Sequence, residues 1–547
     1  MNFIGGIIYT YRYLVLFLLL LSCIFLWPSV KKAIEVDNSL SVWFLEDDPV
    51  LLQYQEYKQH FGNDESVVIL IKDAETILSK SYFQSFINIT NSLESIPEVD
   101  AVLGPGNVQV PTKTLLGPGG RNLIDENSEP GEVLSDLEDY PYINNQFFTR
   151  DYKAARLIVV FKPIDDFDEK RDELIQTIRA GVAQEFTSAN SFIGGIGVIF
   201  SGLNQISTAD FGFFLGLAYF LMFLLILYLY RSFYVLAYTF LTIAFATYFT
   251  LGIYGFMGHQ LNLMTTLIPT ILVLLGILDV VHILNQRTKT AGEIDPKTAT
   301  ILSLKNVFRP CLYTSITTMA GFLSLLSSPM AILRDFGIFS ALGIFLCLIF
   351  SFFLGLIFLP LISSKGETVS SFKLIKLHNY VLSRKTLFFG LSFIVFTFCI
   401  AGIFKLKNDT YTLGYFPQDH EVVLDHEEIE QTWGAYIPFD LVIDPEQGYQ
   451  LHSPEIVQAG LVFSDSIKNI PGIRSSFGFP DLYYAGLQNS YGKNTDRMME
   501  RKSGLSQTNK ILQMQYPKLS GYYIHSESGT GRISVFGEMS SAVALTE

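Results

Sequence analysis

Asp37-Asn38-Ser39-Leu40-Ser41-Val42-Trp43-Phe44-Leu45-Glu46-Asp47-Asp48 occurs twice in this chain in related form, each time after a hydrophobic segment. The second occurrence reads Asp409-Thr410-Tyr411-Thr412-Leu413-Gly414-Tyr415-Phe416-Pro417-Gln418-Asp419-His420. The two copies are offset by 409 − 37 = 372 residues, and later matches have offsets of 374 (Ile96-Pro97 and Ile470-Pro471) and 376 (Arg156-Leu157 and Arg532-Ile533). An internal repeat of this length predicts two related units, each a membrane helix followed by a soluble domain and further membrane helices.

The composition indicates a membrane protein that also carries soluble domains. The 547 residues have a mean hydropathy of +0.33, a net charge of −14 and 14% aromatic residues. The negative charge argues against a nucleic-acid partner. The four cysteines (Cys23, Cys311, Cys347 and Cys399) lie in or beside hydrophobic stretches, so no disulfide framework is expected. No residue cluster predicts a metal or a cofactor, because His420 and His426 beside their aspartates are better explained as a solvated acidic helix start.

Seven segments are long and apolar enough to cross a bilayer, which takes ~20 residues. They are 12–30, 211–230, 233–257, 263–285, 311–328, 336–361 and 386–405. Lys and Arg concentrate in the loops after the fourth span and before the seventh, which predicts that these loops and the N-terminus are cytoplasmic. In a Gram-negative cell the chain would then lie in the inner membrane with its large soluble domains in the periplasm.

The predicted fold class is a multi-span α-helical membrane protein with ferredoxin-like α+β extracytoplasmic domains. The predicted domains are helix 1 (1–30), a first extracytoplasmic domain (31–208), helices 2–6 (209–362), a cytoplasmic linker (363–385), helix 7 (386–405) and an incomplete second extracytoplasmic domain (406–547). The first domain shows the strand–helix–strand order twice, with strands at 66–72, 99–103, 156–161 and 192–200 and helices at 81–93 and 169–186. Residues 105–150, rich in Gly, Pro and Asn, are expected to be an irregular insertion.

Gly194-Gly195-Ile196-Gly197 resembles a phosphate-binding loop only superficially. No Lys-Ser or Lys-Thr follows it, and we expect no ordinary soluble helix to open after it. The chain contains no Walker A pattern, so ATP is not expected to be the direct energy source.

Asp279, in the fourth span, is the first candidate functional residue. A carboxylate at that depth costs roughly 2.5–3.5 kcal/mol on insertion scales, and such residues usually face the bundle interior and act in function. His282 is three residues on, so both side chains are expected on one helix face, where they could pass or share a proton. The alternative is that Asp279 makes a fixed interhelical hydrogen bond while His282 caps the span at the interface.

The fifth span adds four hydroxyl groups, from Thr314, Ser315, Thr317 and Thr318. They could relay protons or bind Asp279. The alternative is that they bond carbonyls of their own helix and allow close helix packing.

Several motifs together make the chain resemble the RND superfamily of proton-driven exporters, in its branch with MMPL domains. They are Trp43-Phe44, Asp47-Asp48-Pro49, Phe61-Gly62-Asn63-Asp64-Glu65, Asp279-Val280-Val281-His282, Arg309-Pro310, Thr314-Ser315-Ile316-Thr317-Thr318, Gly321-Phe322 and Asp335-Phe336-Gly337-Ile338-Phe339, with Phe416-Pro417 and Gly434 in the second copy. Spans 2–6 also resemble a sterol-sensing domain. The resemblance implies twelve spans, proton uptake through polar groups on spans four and ten, and a hydrophobic substrate. Many relatives have the Asp and His four residues apart, whereas here the spacing is three.

The sequence therefore predicts a secondary active transporter rather than an enzyme. Its expected task is proton-motive-force-driven export of lipids or other amphiphiles, with Asp279, His282, Thr314, Ser315, Thr317 and Thr318 as the proton relay. Two alternatives are a sterol-sensing or lipid-binding membrane protein without active transport and an accessory motor for protein secretion. Whether the protein forms homo-oligomers or binds a periplasmic partner is left open.

The repeat also predicts that this chain is an N-terminal portion of the transporter. Glu547 corresponds to position 547 − 376 = 171 of the first copy, so the counterparts of roughly 171–207 and of spans 2–6 are expected to be lacking. We would expect the 547 residues alone not to transport.

Overall fold

A computed structural model describes residues 2–45, 47–114, 117–164, 167–187, 189–290, 295–362, 378–406, 412–445 and 448–538. Most of the predicted linker and the first residues of the second copy, Asp409-Thr410-Tyr411, lie outside these ranges. The chain forms two compact units, each built from two stretches of sequence. One unit comprises Met1–Leu45 and Asn204–Asn408, and the other comprises Glu46–Leu203 and Asp409–Glu547.

The helices and strands are numbered in chain order. The helices are α1 (Asn2–Ala33), α2 (Pro49–Phe61), α3 (Lys80–Glu94), α4 (Pro130–Asp139), α5 (Pro141–Phe147), α6 (Phe167–Glu185), α7 (Ile196–Tyr230), α8 (Phe233–Phe256), α9 (Leu267–Thr290), α10 (Pro296–Leu323), α11 (Ala331–Phe358), α12 (Lys385–Ile403), α13 (Glu421–Thr432), α14 (Pro454–Ile467), α15 (Phe479–Tyr491), α16 (Thr495–Met499), α17 (Lys502–Gln515) and α18 (Pro517–Tyr523). The strands are β1 (Val67–Lys72), β2 (Val99–Leu103), β3 (Gln109–Thr114), β4 (Gly117–Asn122), β5 (Ala154–Phe161), β6 (Ser191–Gly194), β7 (Pro438–Ile443), β8 (Ile473–Gly478), β9 (Ile524–His525) and β10 (Thr530–Gly537).

The first unit is helical, and within the described residues six helices are long and apolar enough to cross a membrane. They are Tyr9–Ala33, Ile196–Tyr230, Phe233–Phe256, Leu267–Thr290, Ala331–Leu361 and Lys385–Ile403. The predicted span 311–328 is not among them. It lies mostly in α10, whose Thr and Ser residues and N-terminal Lys and Arg residues lower its hydropathy. α10 nevertheless packs between α9 and α11, so it belongs to the helical bundle.

α8 and α11 form the centre of this bundle. α8 packs against α1 and α11, while α11 also packs against α9 and α10. The core between them is apolar and includes fully buried side chains such as Tyr238, Ile243 and Leu272. α12, in contrast, has no buried residue in this structure.

The second unit contains two antiparallel sheets with related strand orders. The first has the order β2-β5-β1-β6, in which α3 follows β1 and α6 follows β5. The second has the order β7-β10-β8, with β9 attached to β10 and α14 following β7. Leu70 of β1 lies opposite Arg156 of β5, and Val442 of β7 lies opposite Arg532 of β10.

Each sheet is partly covered by the helix that precedes the other sheet. Ile429 of α13 and Tyr436 form a buried cluster with Val68 and Leu70 of the first sheet. Conversely, Tyr57 of α2 donates a hydrogen bond of 2.8 Å to Asp440 Oδ2 of the second sheet. The two halves of this unit therefore exchange their covering helices.

The insertion predicted to be irregular is folded. Between β2 and β5 the structure contains the β3–β4 hairpin and the short helices α4 and α5. Val133 and Leu137 of α4 are buried. The Gly- and Pro-rich composition hid this hairpin because β4 begins Gly-Pro-Gly-Gly, which lacks a strand's usual side chains.

The glycine run after the fourth predicted strand also differs from the expectation. The strand ends at Gly194 rather than near residue 200, and α7 begins at Ile196. Gly195 makes this sharp change of direction with φ +127°. A Cβ added at Gly195 would lie 2.2 Å from the carbonyl oxygen of Ser66, so the position tolerates only glycine.

Gly195→Ala is accordingly expected to destabilise the protein by about 1–3 kcal/mol from backbone strain, with the clash adding to it. The measurement is the midpoint of thermal unfolding in detergent. Gly216→Ala in α7 is the matched control, because no atom lies within 4 Å of a Cβ added there. Equal midpoints for the two variants would contradict this account of Gly195.

Candidate functional site

Asp279 is buried in the middle of the helical bundle. It lies on α9, and only 7% of its surface is exposed. α9 packs against α8, α10 and α11, so the carboxylate has a neighbouring helix on several sides. The sequence prediction that Asp279 faces the bundle interior rather than its outer surface agrees with this placement.

The nearest polar groups to Asp279 come from α10. The Cys311 thiol and the Ser315 hydroxyl lie close enough to interact with its carboxylate. These residues are four apart and therefore lie on one face of α10. Tyr238 of α8 and Cys347 of α11 are close enough to interact electrostatically with the carboxylate. Cys311 was missed as a candidate, although it lies one helical turn before Ser315.

The surroundings of Asp279 contain no fixed positive charge within the described part of the chain. His282 is the basic group that interacts with it electrostatically. Asp335, a second carboxylate in a candidate span, differs because its Oδ2 lies 3.4 Å from Nδ1 of His259. Asp279 is thus a buried carboxylate whose polar neighbours on α10, the Cys311 thiol and the Ser315 hydroxyl, are neutral groups.

His282 does not share the buried face of Asp279. Its side chain is exposed, whereas Asp279 and the neighbouring Val280 and Ile283 are buried. The two groups still lie within electrostatic range, one helical turn apart. The expectation of a common buried face was therefore wrong, because a spacing of three residues places the side chains about 60° apart around the helix axis.

The four hydroxyl groups of α10 divide into two kinds. Thr314 donates to the carbonyl of Cys311 at 2.9 Å, Thr317 to that of Thr314 at 2.9 Å, and Thr318 to that of Thr314 at 2.8 Å. Ser315 is buried and lies close enough to interact with Asp279 instead. The structure thus brings Ser315 to Asp279, while the three threonine hydroxyls bond their own helix, as the alternative interpretation had it.

The described residues contain no group of three or more His, Cys, Asp or Glu side chains that could hold a metal ion. His426, which the sequence raised as a metal candidate, is buried and its Nδ1 lies 2.8 Å from the hydroxyl of Tyr436. It is part of the packing between α13 and the first sheet.

A comparison with protein families places the chain. The sequence profile of the MMPL family matches residues 56–366, which is more than half of the 547 residues. The match includes the first sheet and the helices α7–α11, and hence Asp279 and its partners. A search of the curated proteins finds no match to the chain. With six candidate membrane spans and a family match of this extent, the chain is a multi-pass membrane protein that belongs to the MMPL family.

Proposed function

We propose that this protein is an RND-type secondary transporter that uses the proton-motive force to export lipids or other hydrophobic molecules. The observation that carries the proposal is the buried Asp279, which has the thiol of Cys311 and the hydroxyl of Ser315 as neutral neighbours and lacks a fixed positive partner among the described residues. Burial of a carboxyl group in a low-dielectric helical bundle strongly favours its protonated, neutral form over the charged carboxylate. Such a group can alternate between two charge states as protons cross the membrane.

The neutral donors suit both charge states of Asp279. A thiol and a hydroxyl can each rotate and either donate to the carboxylate or accept from the protonated acid. Protonation of Asp279 would weaken the interaction between α9 and α10, because hydrogen bonds to a charged acceptor are roughly twice as strong as those to a neutral one. Each proton that crosses is worth about 2.3 kcal/mol per 100 mV of membrane potential. This energy would drive a change in helix packing.

His282 is the second member of the proposed relay. It is exposed and one helical turn further toward the C-terminal end of α9, where Arg287 and Lys289 lie. An imidazole can take up and release a proton, so this side chain would pass protons between that end and Asp279. In this arrangement the N-terminus and the basic loops are cytoplasmic, and the domains with the two sheets lie in the periplasm.

We also infer that the two halves of the second unit are ferredoxin-like copies of one ancestral domain. The strand order β2-β5-β1-β6 with two strand–helix–strand units supports the fold type. The offsets of 372, 374 and 376 read from the sequence map the pairing Val99↔Phe161 onto Ile473↔Gly537 and Val67↔Val159 onto Phe439↔Val535. The positive-φ residues Gly62 and Gly434, each at a helix end, also correspond.

The test uses the product of the complete gene, reconstituted in liposomes with a fluorescent phospholipid. Under an imposed pH gradient we expect net movement of the lipid probe, and a protonophore is expected to abolish it. Probe binding that ignores both gradient and protonophore would instead favour a lipid-binding or sterol-sensing protein. Co-purification with a protein translocon, together with absence of lipid movement, would favour a secretion motor.

A further inference from the structure

The two interfaces made by the exchanged helices have the same geometry but different chemistry. In the first sheet Ile429 packs on Val68 and Ile158, which are apolar. The repeat offsets give the corresponding residues at the second sheet. They are Tyr57 for Ile429 (429 − 372), Asp440 for Val68 (68 + 372) and Ser534 for Ile158 (158 + 376). There, Asp440 accepts hydrogen bonds from Tyr57, Ser534 and Arg532. At these equivalent positions the contact of α2 with the second sheet is polar and that of α13 with the first sheet is apolar. Elsewhere α13 also contacts the first sheet through the ion pair of Glu428 with Lys72 and the hydrogen bond from the Ile193 N–H to Asp425.

A pair of histidines lies at the edge of the polar interface. The rings of His60 on α2 and His525 in β9 are stacked, with their centroids 4.3 Å apart and their planes at 15°. Both side chains are half-buried. The repeat places Thr432 (60 + 372) and Thr149 (525 − 376) at the equivalent positions of the other interface. The titratable pair thus belongs to one of the two interfaces alone.

One hydrogen bond of His525 requires an unprotonated Nδ1. Its Nδ1 lies 2.7 Å from the Ser528 hydroxyl and accepts the backbone N–H of Ser528 at 3.3 Å. An N–H can donate to Nδ1 only while that nitrogen keeps its lone pair. Protonating Nδ1 would remove this acceptor and disturb the turn that joins β9 to β10.

The charged groups around the stack do not neutralise two imidazolium ions. Burial and the neighbouring His60 lower the pKa of His525 from its ordinary value near 6.5, and the carboxylate of Glu527 opposes them. The other charged or titratable groups on the elements packed there are engaged with one another: Lys58 with the ring of Tyr54, Asp64 with the Tyr54 hydroxyl, and Arg532 with Asp440 and Tyr522. Stacked rings that are both protonated would repel each other at this separation.

We propose that the His60–His525 stack is a pH-operated latch that holds α2 on the second sheet while His525 is neutral and releases it when His525 is protonated. When a basic group has a lowered pKa in the closed state, its full stabilisation of that state is present at pH values above its ordinary pKa. The stabilisation decreases as the pH falls below the ordinary pKa. The latch is therefore closed near pH 7.5 and opens as the surrounding solution becomes more acidic than about pH 6.5. α3, which contains no histidine, stays in place over the same range.

Hydrogen exchange of the complete protein in detergent, measured by mass spectrometry at pH 7.5 and 5.5, tests the latch without any proton gradient. After correction for the intrinsic pH dependence of amide exchange, we expect α2 to exchange at least about threefold faster at pH 5.5. Peptides from α3, which contains no histidine, serve as the internal control and are expected to be unchanged. Equal acceleration of α2 and α3 would overturn the proposal.

Substitution by phenylalanine keeps the stack while removing the titration. His60→Phe/His525→Phe is expected to abolish the pH response of α2. The single variant His525→Phe is expected to lose the response as well, because it removes the ring whose Nδ1 accepts from the backbone N–H of Ser528. His452→Phe is the matched control, since His452 is another half-buried histidine whose pKa is lowered by burial, and this variant should respond as the wild type. An unchanged response in the double variant would refute the latch.

Discussion

Replacing Asp279 by Asn is expected to abolish transport driven by a pH gradient, a loss of at least about tenfold in rate. Asn has nearly the same shape and polarity, so the packing of α9 against α10 is retained. It cannot, however, take up or release a proton. The measurement is gradient-driven movement of the lipid probe by the complete gene product in liposomes.

Two further variants separate proton coupling from a general loss of fold. Asp279→Glu keeps a titratable carboxyl group and should retain part of the activity. Asp335→Asn removes another carboxylate from a candidate span, one that lies 3.4 Å from His259, and should leave transport near the wild-type rate. Wild-type transport by Asp279→Asn would show that Asp279 has a structural role instead.

Arg171→Met is expected to lower the free energy of unfolding by about 3–5 kcal/mol. Arg171 is fully buried on α6, and its Nε and Nη2 donate to Glu65 at 2.5 and 2.6 Å. The guanidinium also lies 5.7 Å from the ring of Phe167 and 5.4 Å from that of Phe200. Burial raises the pKa of Glu65 and Arg171 opposes that rise, so without Arg171 a buried carboxylate would be left uncompensated.

The midpoint of thermal unfolding measures this effect, and two controls define its origin. The double variant Glu65→Leu/Arg171→Met removes both charges and should recover most of the lost stability, since a buried pair often contributes little compared with apolar residues of similar volume. Lys80→Met breaks the exposed pair with Glu129 and should change stability by less than about 1 kcal/mol. A double variant as unstable as Arg171→Met would point to packing rather than charge.

The sequence predicted those elements whose pattern is local and regular. β1, α3, β2, β5 and α6 lie within a few residues of the predicted ranges, because their apolar residues recur with the periods of strands and helices. Six of the seven predicted spans correspond to long apolar helices, and the polar α10 is the exception. The β3–β4 hairpin was missed, because glycine and proline signal turns even where a strand forms.

The sequence predicted single residues of the site but not which of them lie next to one another. A carboxylate within an apolar span pointed to Asp279, because its burial in a bilayer has a known free-energy cost. Which hydroxyl group of α10 would reach it depends on the rotation of one helix against another, and no local pattern encodes that angle. The thiol of Cys311 was missed for the same reason, although its position four residues before Ser315 places it on the same face.

The exchange of covering helices has a consequence for the order of events on the ribosome. The apolar surface around Val68 and Leu70 is covered by Ile429 and Tyr436, which are synthesised some 360 residues later. At about 5–20 residues per second, this surface stays open for about 20–70 s after it leaves the ribosome. During that interval the first sheet therefore exposes an apolar surface that can bind other chains non-specifically. A chaperone on its side of the membrane would have to protect this surface until the second copy has been synthesised.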